Sequence, residues 1–339
     1  MKLIMPDYCR KFRCIADKCL DNCCNGWGIY IDDETLEAYR NTEGDFGERL
    51  KNNIDFEKKC FMNNGSGRCP FLNRQNLCDI IIKLGEDKLC SICKRHPRYF
   101  EWFSDYIEGG IGLSCEEAAR LILGADGFGL YSCEAPAELC AESDTEPQYD
   151  ELYFKFLSGA RKKMIELLLD ENVPLDTSLG MLTAYAEELQ ERTDRYLIGD
   201  VPDIKETDKS LDTRRALRIM RNAVPADEAQ RKYLSELCAF FKGKNDPETI
   251  HSENEKELRN TAVYFTWRYL MKSVFSGNVY PRIMFAVFGT KIINAMFNYE
   301  MRLGEHLGFE QKCAIAKLFS KLIEYNEDNF YLVIENYEY

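Results

Sequence analysis

The chain has 339 residues, 45% of them hydrophobic and 30% charged, with a formal net charge of −13. That balance belongs to a folded chain with a substantial core and room for two structural units, and it excludes intrinsic disorder. The charge, −5 up to residue 140 and −8 beyond it, leaves neither half basic and argues against nucleic acid as a partner, because phosphate binding rests on lysine and arginine.

The first residues, Met1-Lys2-Leu3-Ile4-Met5-Pro6-Asp7, hold no apolar run long enough for a secretory signal. Through about residue 125 long periodic helices are scarce and turn residues frequent: Asn25-Gly26-Trp27-Gly28, Asn63-Asn64-Gly65-Ser66-Gly67 and Gly109-Gly110. Such residues supply positive φ angles and let backbone wrap closely around an ion or cluster. Short helices are expected at 33–41, with Asp32-Asp33 as N-cap chemistry, and at 46–56.

A looser acidic stretch at 135–148, with Pro136 and Pro147, marks the expected boundary between units at 1–134 and 149–339. Beyond it the helical period takes over. Tyr153, Phe154, Leu157, Ala160, Met164, Ile165 and Leu168 share one face. Similar patterns recur at 177–197, 209–222, 226–242, 252–275, 281–302 and 309–325. The run at 330–334 reads as a short strand or a docked helical turn. The most apolar segment, 283–293, is interrupted by Gly289, Thr290 and Lys291 and falls short of the roughly 18 residues that span a bilayer, so no membrane association is expected. The expected fold is mainly α: an irregular cysteine-rich N-terminal module docked on an α-helical C-terminal domain.

Eleven of the fifteen cysteines lie between Cys9 and Cys115. Cys14 and Cys19 lead to the vicinal pair Cys23 and Cys24. Cys69 precedes Cys78 by nine residues and Cys78 precedes Cys90 by twelve, followed by Cys93 in a C-x-x-C pair and then Cys115. Soft thiolates at this density point to zinc or an iron–sulfur cluster. The odd count, the absent signal and the sparse later cysteines Cys238 and Cys313 favour a reducing, cytoplasmic setting over a disulfide framework. The candidate ligands are therefore Cys14, Cys19, Cys23, Cys24, Cys69, Cys78, Cys90, Cys93 and Cys115.

Nine thiols exceed the four that one metal takes, so either two sites exist or one cluster with spare structural thiols. No C-x3-C-x2-C triplet occurs, which argues against a standard radical enzyme. His96, beside Pro97 and flanked by Lys94, Arg95 and Arg98, is the histidine nearest the cysteines and reads more readily as a surface or supporting group than as a ligand. Trp27, Trp102 and Phe103 could pack over a ligand but read more readily as core.

At these residues a resemblance appears. Tyr8-Cys9-Arg10-Lys11-Phe12-Arg13-Cys14, Asp21-Asn22-Cys23-Cys24-Asn25-Gly26-Trp27, Arg68-Cys69-Pro70-Phe71-Leu72-Asn73 and Leu89-Cys90-Ser91-Ile92-Cys93-Lys94-Arg95-His96-Pro97 resemble the bacterial flagellin lysine-N-methylase family. That family is similar in turn to a wider group of cysteine-rich zinc- or iron-chelating domains. The resemblance covers about the first third of the chain. It implies methyl transfer from S-adenosylmethionine to lysine side chains of flagellin, with an iron–sulfur cluster, 4Fe-4S, or zinc.

No glycine-rich loop of the dinucleotide-binding kind is present, so a donor site is unconventional, lies in the helical domain, or is absent. No catalytic base, donor-binding residue or oligomeric state is assigned. The alternative reading is a metal-chelating or electron-transfer protein that uses the same thiols without methyl chemistry, and a third is a zinc-held interaction platform.

Overall fold

Lys2–Pro6 forms strand β1 in the computed structural model, which describes residues 1–20, 23–24, 28–62, 67–104, 106–141, 149–243, 245–303 and 306–338. Leu3 and Met5 are buried while Lys2 is exposed, the alternation of a strand with one covered face. Farther along, β2 (Ile54–Asp55) and β3 (Cys60–Phe61) form a small antiparallel ribbon. The main sheet is completed by β4 (Arg98–Phe103), β5 (Tyr106–Ile111) and β6 (Leu130–Glu134), in the order β4-β5-β1-β6. β4 and β5 are an antiparallel hairpin. β1 runs parallel to β5, with Leu3 opposite Ile107, and antiparallel to β6, with Leu3 opposite Cys133.

This sheet is absent from the expectation drawn from sequence. Gly109 and Gly110 read there as a turn signal, yet both lie inside β5. The reason is close packing. A Cβ on Gly110 would come within 2.3 Å of the Tyr99 hydroxyl, and one on Gly109 within 3.0 Å of the Phe100 ring. Only glycine leaves room there for the side chains of β4.

The module helices are short. α1 (Asp33–Arg40) is capped by Asp32, whose carboxylate accepts from the Thr35 amide at 3.0 Å. α2 (Gly44–Lys51) stops before residue 56 because Ile54 and Asp55 pair in the ribbon instead. α3 (Asp79–Leu84), α4 (Ser91–Arg95), α5 (Glu116–Leu123) and α6 (Ala137–Cys140) follow.

Helix makes up 58% of the structure, so the mainly α expectation holds. The helices of the second half are α7 (Glu151–Leu169), α8 (Leu175–Asp194), α9 (Thr213–Met220), α10 (Glu228–Phe241), α11 (Ser252–Tyr269), α12 (Ser273–Ser276, a single turn), α13 (Val279–Glu300), α14 (Phe309–Leu322) and α15 (Glu327–Asn336). The run at 330–334 is thus helical, within α15. α13 is buried almost all round, from Val279 to Phe297, because other helices pack on every side of it. Pro281 sits in its first turn, where a missing amide costs nothing. Among the described residues no helix is long and apolar enough to cross a membrane.

Two hydrophobic cores result. The larger joins Leu3, Met5, Phe103, Ile107 and Ile122 to the helices of the second half. The smaller lies between Ile29 and Cys90 and holds Tyr39, Leu50, Phe61 and Phe71 with Cys69 and Cys90. The stretch 142–148 and the turn residues 21–22, 25–27 and 63–66 lie outside the described residues.

Candidate functional site

The small core is pinned by polar contacts between remote segments. Asp32 accepts from the Ser91 amide at 2.8 Å as well as from Thr35, so it joins the start of α1 to the start of α4. Arg49 of α2 donates to Asp79 at 2.7 Å and to the Pro70 carbonyl at 2.7 Å. Asn73 turns the chain, accepting from the amides of Gln75 and Leu77 and donating to Asp79 at 2.9 Å. The Cys69 amide donates to the Cys24 carbonyl at 2.8 Å, and Leu72 bridges Cys78. These contacts bring cysteines from four separate segments toward one place.

The thiols interact there in two pairs. Cys24 hydrogen-bonds through its side chain to Cys23 and to Cys69, and those bonds with burial push its pKa far above the ordinary thiol value. The same bond from Cys24, with amides of Phe71 and Leu72, lowers Cys69 despite burial. Cys93 and Cys90 repeat the pattern. The bond to Cys90, then burial, raises Cys93, while the bond from Cys93 lowers Cys90. Opposed shifts of this kind are what two thiols sharing a proton produce. The pairs also feel one another, since Cys93 is influenced by Cys69 and Cys23.

Cys78 stands beside them. Burial raises its pKa, opposed by the amides of Ile81 and Ile80. Tyr39 senses Cys90, Cys93 and Cys78 together. Cys115, N-terminal to α5, is pushed up to about 12 by burial, with the charges of Cys23 and Cys19 adding to the rise. Cys19 lies 3.7 Å from Glu116, which also takes the Leu20 amide at 3.1 Å and the buried Lys317 ammonium at 3.2 Å. Cys14 is exposed, and among the described residues no thiol interacts with it. Cys9 is buried in the larger core and pushed up to about 12, chiefly by burial.

No two of the described cysteines are joined as a disulfide. Among the described residues no three histidine, cysteine, aspartate or glutamate side chains already stand in metal-ligand arrangement. The donor chemistry nonetheless suits a soft cation: each proton shared between neighbouring thiols is one a thiophilic metal can displace.

The neighbouring groups are structural. Burial and the Lys321 charge push His96 down to about 4, and its ring lies 6.4 Å from that of Tyr325. Trp102 donates to the Leu139 carbonyl at 2.8 Å, and Phe103 stacks on Phe275 with centroids 5.9 Å apart. Arg98 covers the Phe12 ring at 5.0 Å.

Sequence reasoning gave no reason to single out any tyrosine, and the structure gathers several. Tyr264 and Tyr269 of α11 donate to Glu324 at 2.9 and 2.7 Å, and Arg268 reaches the same carboxylate at 3.1 Å. Arg268 also lies over the rings of Tyr99 and Tyr325 at 4.5 and 5.1 Å. This buried centre abuts Gly112, where a Cβ would meet the Tyr325 hydroxyl at 2.1 Å, and the Cys115 amide donates to the Gly112 carbonyl at 3.3 Å. One turn therefore separates the tyrosine centre from the thiols. Tyr264, Arg268 and Tyr269 do recur at helical spacing, which is the only signal the sequence offers for it.

Fold and site define a mainly α protein with a thiol-rich module, whose first strand β1 leads into a short 3-10 turn at Asp7–Lys11. Among curated proteins the chain is similar to the lysine-N-methylases of Salmonella typhimurium and Salmonella choleraesuis, 28% identical over 126 residues, which is 35% of this chain and 31% of each relative. It matches the flagellar biosynthetic protein FliU of Salmonella muenchen to the same extent, covering 75% of that shorter protein. The match thus spans about a third of the length of the lysine-N-methylases. No family model matches the chain. No solved structure matches it either.

Proposed function

We propose that this protein is a cytoplasmic protein-lysine N-methyltransferase that moves methyl from S-adenosylmethionine to lysine side chains of flagellin. We further propose that its thiol cluster holds zinc or an iron–sulfur cluster. The observation that carries the reading is the 126-residue similarity to proteins named lysine-N-methylase. The thiol grouping supports it, because the residues of the resemblance around Cys69, Cys90 and Cys93 are those that meet in the small core.

Cys24, Cys69, Cys78, Cys90 and Cys93, with Cys23 beside them, would hold the inorganic group. When bound, such a group crosslinks segments remote in sequence and couples metal affinity to folding. Asp32, Arg49 and Asn73 set the backbone that presents these sulfurs. Fully covered Cys90 and Phe71 keep water from one side of the cluster.

Methyl transfer itself demands a neutral amine, and a lysine ammonium ordinarily titrates near about 10.4. Alignment of the lone pair with the sulfonium methyl and exclusion of water supply most of the acceleration in such a reaction. The net charge of −13 favours approach of a lysine-bearing protein.

The test is purification without oxygen, metal and sulfide analysis, and incubation of the same sample with flagellin and isotope-labelled donor. Label on flagellin lysines supports the reading. Metal-loaded protein that neither binds the donor nor labels flagellin removes it in favour of a metal-chelating or electron-transfer role.

A further inference from the structure

We propose that a basic cleft between α9 and α10 binds an organic phosphate of nucleotide size, independently of the methyl-transfer reading. The cleft has a volume of about 640 Å³, within the span usual for small-molecule sites. Among the described residues Arg214, Arg218, Arg221, Arg231 and Lys242 line it, and no carboxylate does. Five cations facing one hollow are conspicuous in a chain whose net charge is −13.

The cations are not consumed by the fold. Among the described residues Arg214 is the cation with a structural task, donating to the carbonyls of Phe241 and Asn245. Arg218 meets Asp212 at 3.4 Å and Arg231 meets Glu228 at 3.2 Å, exposed pairs of little energetic weight. Among the described residues Arg221 and Lys242 form no ion pair. The floor is apolar: Leu217, Leu234 and Phe241 are buried, and Cys238 lies beside them. A ligand that satisfies both parts carries several negative charges and one apolar or aromatic face.

That chemistry selects among anions. S-adenosylmethionine is a poor match, since its sulfonium and ammonium would meet like charge. A long acidic peptide is also a poor match, because Asp212 and Glu228 flank the cations and confine the positive field to the hollow. A nucleoside polyphosphate satisfies the site: phosphates on the guanidinium groups, base and sugar against the apolar floor.

The experiment is calorimetry of the full chain with ATP, inorganic phosphate, S-adenosylmethionine and a ten-residue glutamate peptide, repeated at rising salt. ATP is expected to bind most tightly and to weaken with salt. Arg221→Gln and Lys242→Gln, at exposed helical or helix-end positions, should each weaken it about tenfold. ATP should also slow alkylation of Cys238, a readout that does not depend on the variants folding. Absence of ATP binding, equal binding by the doubly substituted chain, or inorganic phosphate or the glutamate peptide binding as tightly as ATP would overturn the proposal.

Discussion

The Arg161 guanidinium grips the Glu108 carboxylate through two bonds, 2.6 and 2.5 Å, with both side chains only 7% exposed. Arg161 also lies 4.1 Å over the Trp267 ring, whose indole donates to the Gly109 carbonyl at 3.2 Å. One ion pair thus fastens β5 to α7 and α11. Breaking it from one side strands a buried charge, so Arg161→Met should cost about 3–5 kcal/mol, whereas Arg161→Met with Glu108→Leu should recover most of that. Urea unfolding of both single variants and the double variant checks this, and additive losses would show that the pair is not coupled.

A second buried cation gives a pH signature. Lys291 of α13 is 1% exposed and bonds to Asp176 and, at 2.9 Å, to Glu248, which also takes the Thr213 amide at 2.8 Å. Burial lowers the Lys291 pKa, but the bonds to Asp176 and Glu248 outweigh it and leave the pKa above 10.5. A raised ammonium stabilises fully below the unfolded value and loses that contribution as pH rises through the folded one. Melting temperature should therefore fall above a pH of 10.5 in the native chain. Lys291→Met should be about 2 kcal/mol less stable at neutral pH and lack that component of the alkaline fall.

Gly180 tests close packing against helix propensity. Alanine in mid-helix gains about 1 kcal/mol over glycine. At Gly180 of α8, however, its Cβ would lie 2.1 Å from the Lys209 carbonyl oxygen, a backbone atom. Overpacking costs about 1–3 kcal/mol, so the clash should win and Gly180→Ala should melt lower. Gly199→Ala, where nothing lies within 4 Å, should change the melting temperature little.

For the thiols, Cys69→Ser or Cys93→Ser should reduce metal content and melting temperature together, because ligand thiolates couple binding to folding. Exposed Cys133→Ser should change neither. Full metal occupancy with unchanged melting in both ligand variants, measured by elemental analysis and calorimetry, would take those residues out of the donor set.

Part of the site was legible before any fold was known. The spacing of Cys69, Cys78, Cys90 and Cys93 marked them out, and their sulfurs do share one core. The pairing of Cys24 with Cys69 was not legible, because it depends on a backbone bond between segments far apart in sequence. Cys14 carried the same spacing signal and lies exposed. Spacing records which residues are near along the chain, and turns decide which sulfurs face inward. The Arg268–Glu324 centre was hidden for a similar reason: its tyrosines come from β4, α11 and the turn after α14, and each alone looks like ordinary core.

By itself the sequence determined the helices and the thiol density. A helix closes its hydrogen bonds four residues away, so its apolar period is written locally, and the pattern from Tyr153 to residue 325 became α7 to α14. Only the tertiary structure decided the sheet. Leu3 finds Ile107 on one side and Cys133 on the other, and such ladders close between strands that local sequence cannot pair.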